Sequence, residues 1–168
     1  LLGHPVTYWI PVFALPLAAD EVPSTGNWTA YENLLSEATS DPQSGLRTWT
    51  STNWWYLTTT RSMCAAWQIE GLEFLASETA VLAPAEALRA AQAVNTVLDR
   101  LQTADSIPAP DLADVSTHHL RSFINSEPRC TVESDQAEGF IAFLLSLRQV
   151  ALETSEEGKH LAIIQPQP

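Results

Sequence analysis

The chain has 168 residues, the length of one domain at roughly 150 residues each. It carries 20 acidic and 8 basic residues, a formal net charge of −12, with 45% apolar and 17% charged residues. That is too apolar for a disordered chain and too acidic for a nucleic-acid or anionic-membrane surface, and no apolar run reaches the roughly 18 residues of a membrane span.

The apolar start, Leu1 to Leu17, lacks a basic leading stretch and is interrupted by Pro5, Pro11 and Pro16. It reads as an extended segment rather than a secretory leader. The sequon Asn27-Trp28-Thr29 then reads as chance, and the expected compartment is the cytoplasm. The Ala- and Leu-rich composition suggests a bacterial source. The two cysteines, Cys64 and Cys130, are too few for a disulfide scaffold and are expected as reduced, buried thiols, with one disulfide as the alternative.

Val6–Phe13, rich in β-branched and aromatic residues, predicts a first strand that Pro11 ends or places at an edge. Ala18–Asn27 is a loop marked by Pro23 and Gly26. Thr29–Ala38 is a short helix, with Tyr31, Leu34, Leu35 and Ala38 on one stripe and Thr29 capping with Glu32. Asp41–Gly45 is a turn. Leu46–Thr60 concentrates Trp49, Trp54, Trp55 and Tyr56 ahead of three threonines, and Ser51 or Thr52 suits the cap of a short helix. Trp54 and Trp55 are sequence neighbours, so they cannot share a helix stripe. One ring is expected in the core and the other at an edge or cleft.

Met63–Ala83 has no clean period, although Thr79–Leu82 suits a short strand. Pro84–Thr103 is the clearest helix. Pro84 fits its first turn, Glu86 suits its dipole, and Ala87, Ala91, Val94, Leu98 and Leu101 form a stripe widened by Leu88 and Val97. Leu112–Ile124 is a helix or two short turns. Ser134–Thr154 is a second long helix, capped by Ser134 or Asp135, with apolar residues around much of its circumference. Gly158 stops it, and His160–Gln165 is a last strand. Together these predict an α+β fold: a small mixed sheet of N- and C-terminal strands, packed by two long helices and shorter ones.

This order of elements resembles the YfbM-like bacterial proteins, a family of unknown function. The resemblance rests on Val6–Phe13, on Trp54-Trp55-Tyr56-Leu57-Thr58-Thr59, on Pro84–Leu101, and on Phe140–Leu152 with Gly158 and His160–Ile164. Arg61 and Ser62 stand where that pattern has a glycine, and Thr117-His118-His119 has no counterpart in it. The resemblance implies α+β and no activity.

Three constellations are candidates for chemistry. Asp111, Asp114 and His118 fall at i, i+3 and i+7, one helix face able to hold a divalent metal, with His119 and Cys130 as further ligands. No recognised zinc spacing accompanies them, and a solvated acidic face accounts for the same residues, so no metal or other cofactor is expected. His118 and His119 are general-base candidates without an identified nucleophile. Trp54, Trp55, Tyr56 and Arg61 are the candidate binding residues: aromatic side chains dominate clefts and hot spots, and a guanidinium anchors anions or stacks on indole. A tryptophan-rich core is the structural alternative. The expectation is a non-catalytic acidic protein that masks a basic partner, in the manner of an immunity protein or antitoxin. The alternative is a small-molecule domain or metal-independent enzyme with an aromatic cleft.

Overall fold

In the computed structural model, residues 11–49, 53–77, 79–109, 112, 115–126, 128 and 136–165 are described; for 53–55 this covers the backbone alone. Among the described residues four strands, β1 (Val12–Leu17), β2 (Arg47–Trp49), β3 (Thr79–Leu82) and β4 (His160–Ile164), form one sheet in the order β2-β1-β4-β3. The helices are α1 (Trp28–Ser40), α2 (Asn53–Trp67), α3 (Pro84–Thr103), α4 (Thr117–Ile124) and α5 (Gln136–Glu156). The fold is α+β.

The sheet is antiparallel throughout rather than mixed. The connections explain this. Leu82, the last residue of β3, lies opposite Leu161 at the start of β4. The chain leaves β3 into α3 and returns through α5 at the same end of the sheet, and Arg148 of α5 donates to Asn95 of α3 at 2.9 Å midway along. Two long helices therefore bring β4 back along β3 in the opposite sense.

Strand alternation divides the sheet between two cores. Val12, Ala14, Leu82, Leu161 and Ile163 face α2, α3, α4 and α5. Leu15, Leu17, Ala162 and Ile164 face the other way, against Tyr31 and Ala38 of α1. The molecule is thus three layers, with α1 on the second face. The expectation of helices packed on the sheet did not include that outer layer.

Of the expected strand Val6–Phe13, residues 11–13 are described. Pro11 precedes β1, and Val12–Leu17 runs through Pro16. Beyond the Ala14–Arg47 pair β1 has β4 alone as a neighbour, a position that tolerates proline. Val6–Ile10 lie outside the described residues. Helix α1 is capped by Asn27, not Thr29; the Asn27 Oδ1 accepts from the Ala30 N–H at 3.3 Å. Pro84 opens α3, and the Glu86 carboxylate accepts from the Ala83 N–H at 3.0 Å. Alanine has no oxygen to return the bond, so this is half of a capping box. The α3 stripe is buried as expected, except that Leu88 is exposed; Ala90 and Ala93 extend the buried face instead.

The threonines of Thr58-Thr59-Thr60 read as β-prone but lie inside α2. Thr59 and Thr60 are buried, and the Thr60 hydroxyl donates to the Tyr56 carbonyl at 2.8 Å. That bond removes the cost of burying the hydroxyl within a helix. Tyr56, Thr59, Thr60 and Met63 form a helical stripe toward the large core. Helix α4 starts only at Thr117, because the Ser116 hydroxyl accepts from the His119 N–H at 3.0 Å and caps it there. Arg121 ties α4 to the end of α3, donating from Nε to the Leu101 carbonyl at 2.7 Å and from its terminal nitrogen to that of Ala104. At the end of α5, Lys159 N–H donates to Thr154 and Gly158 N–H to Ser155, both at 3.0 Å. Gly158 has φ +68°, the left-handed conformation this double-bonded terminus needs.

Candidate functional site

Of the candidate binding residues, Tyr56 is in the core. It is 2% exposed, with its ring 5.7 Å from Phe143 and 6.0 Å from Phe140. It packs against Gly139 of α5, where a Cβ would collide with the phenol oxygen. It cannot line an open cleft. Arg61 is exposed on α2. The side chains of Trp54 and Trp55 lie outside the described residues. Trp49 is buried, edge-on to Phe143 at 5.1 Å, and Trp67 lies under the Arg100 guanidinium at 5.7 Å. These two tryptophans serve core and surface packing.

His118 and His119 are exposed in the first turn of α4, and the His119 ring stands edge-on to Phe123 at 5.0 Å. Asp111 and Asp114 come before the first residue of α4 in the sequence. They and Cys130 lie outside the described residues. Among the described residues no three His, Cys, Asp or Glu side chains converge as a metal site. Cys64 is a free, half-buried thiol; burial, and then the Glu73 carboxylate, push its pKa up to about 11. It is a packing residue rather than a nucleophile at neutral pH.

Two cavities flank the turn between α1 and β2. One of about 330 Å³ is bounded by Thr39, Asp41, Ser44 and Arg47, the other, of about 120 Å³, by Ser44, Glu153, Glu157 and Lys159. Neither has an aromatic wall. Their polar groups are engaged with one another. Ser44 donates to the Ala38 carbonyl at 3.0 Å, Thr39 to that of Leu35 at 2.7 Å, Arg47 pairs with Glu153 at 3.3 Å and Lys159 with Glu157 at 3.3 Å. A small-molecule site is mostly apolar, with a few polar groups aimed at the ligand. These cavities have neither property.

The feature that sets one region apart is charge. Residues 1–46 contain Asp20, Glu21, Glu32, Glu37 and Asp41 and neither lysine nor arginine. All five carboxylates are exposed. Helix α1 arranges this by its register: Tyr31 and Ala38 turn inward with Leu34 and Leu35 beside them, leaving Glu32 and Glu37 outside. Local bonds fix three of the five. Glu21 accepts from the Ala18 N–H at 2.9 Å, Glu32 from the Trp28 indole at 2.5 Å and Asp41 from the Gln43 N–H at 2.9 Å, while Asp20 sits in the same short 3₁₀ turn as Glu21. The first cation along the chain, Arg47, is engaged by Glu153 of α5. The segment of residues 11–46, with α1 at its centre, therefore presents exposed negative charge, part of it held in place by short-range bonds. The uneven spread of Lys and Arg along the sequence carried this signal; the tryptophans and histidines do not.

Comparison with protein-family models finds no match, and comparisons with curated proteins and with solved structures find none. No described helix is long and apolar enough to cross a membrane.

Proposed function

We propose that the chain is a non-catalytic binding protein that masks a basic partner, as an immunity protein or antitoxin does, through the acidic side of the α1 layer. The observation that carries this reading is the five exposed carboxylates of residues 11–46 without a lysine or arginine among them. Charge of one sign on one side of a molecule steers an oppositely charged partner and raises association rates by roughly 10- to 1,000-fold. The aromatic-cleft reading has less support: Tyr56 is in the core rather than at a cleft. The resemblance to the YfbM-like family belongs to the same proposal and adds no activity to it.

Native mass spectrometry of the protein, purified gently from its own source, tests the reading first. A co-purifying protein of net positive charge is the expected result. With that partner in hand, the association rate is measured against salt for the native chain and for a Glu32→Gln, Glu37→Gln, Asp41→Asn triple variant. The native rate is expected to fall steeply as salt shortens the screening length, which is about 10 Å at 0.1 M. The triple variant is expected to associate about tenfold more slowly at low salt and to show a flatter dependence. A chain that carries no partner, a partner that is neutral or acidic, or a variant with an unchanged rate refutes the proposal.

A further inference from the structure

We draw no further inference here: the strongest candidate, the acidic last turn of α5 with Glu153 and Glu156 followed by Glu157, beside the cavity of about 120 Å³ next to the α1–β2 turn, is a cluster of carboxylates with no second observation that points to a ligand.

Discussion

On one face of the sheet, α2 to α5 enclose Phe140, Phe143, Met63 and a run of leucines, all shut off from water. On the other, the 13-residue α1 covers Leu15, Leu17, Ala162 and Ile164 with Tyr31, Ala38 and half-buried side chains. The same four strands thus support two cores of very different size. The large one holds most of the apolar burial, the dominant favourable term in folding. The small one supports a layer whose outer surface carries one sign of charge.

Substitutions on the two faces sharpen or break this comparison. Phe140→Ala removes a fully buried ring from α5 and is expected to cost about 3–5 kcal/mol in denaturant unfolding. Next in size is Gly139→Ala, whose methyl meets the Tyr56 hydroxyl; overpacking of this kind costs about 1–3 kcal/mol. In a Tyr56→Phe background the same change is expected to cost less, because the oxygen it strikes is gone. Equal costs in the two backgrounds would show that the contact is not the cause. On the α1 side, Leu34→Ala removes a half-buried side chain and is expected to cost about 1 kcal/mol. A loss there as large as that of Phe140→Ala would overturn the unequal division of the two cores.

A test without substitution concerns Cys64, on the large-core side. Its pKa is raised from 9.0 to about 11 in the fold, so the folded chain holds the thiol proton more tightly than the unfolded chain does. The associated stability is present below pH 9 and is lost as pH rises through 11. At pH 8 the thiolate is scarcer in the folded chain by about a hundredfold, and alkylation slows accordingly relative to the chain in urea. Labelling at equal rates in the two states would mean that α2 opens readily and that this edge of the large core is loose.

The sequence was most readable where local chemistry and long-range packing agree. The observed bounds of α3 match those expected, because Pro84 and Glu86 mark its start and its alanine-leucine stripe is the face that packs. Gly158 marked the end of α5 in the same way. A short helix was expected after Ser51 or Thr52, but the full length of α2 was obscured because threonine and tryptophan carry strand propensity, while the buried stripe Tyr56-Thr59-Thr60-Met63 counts two threonines as polar until their environment is known. The outer position of α1 was hidden for another reason. An amphipathic helix shows which of its faces is buried, but not which side of a sheet receives it. The candidate site followed the tryptophans, six in number and crowded into the first 70 residues, and Tyr56 proved to be a core residue. The carboxylates became meaningful only when α1 was seen to cover a face by itself.

The strand order carries a consequence for how the chain is made. β4 sits between β1 and β3, and it comes about 145 residues after its partner β1, with Pro16 opposite Leu161. During synthesis at roughly 5–20 residues per second, β1 waits on the order of ten seconds or more for β4, and β3 has no strand beside it until then. Such distant pairings slow folding, since loop closure must precede the contacts that reward it. Through that interval Leu15 and Leu17 have only the early helix α1 to shelter them. The thin layer of α1 is thus the first cover the nascent chain can make for that face of the sheet.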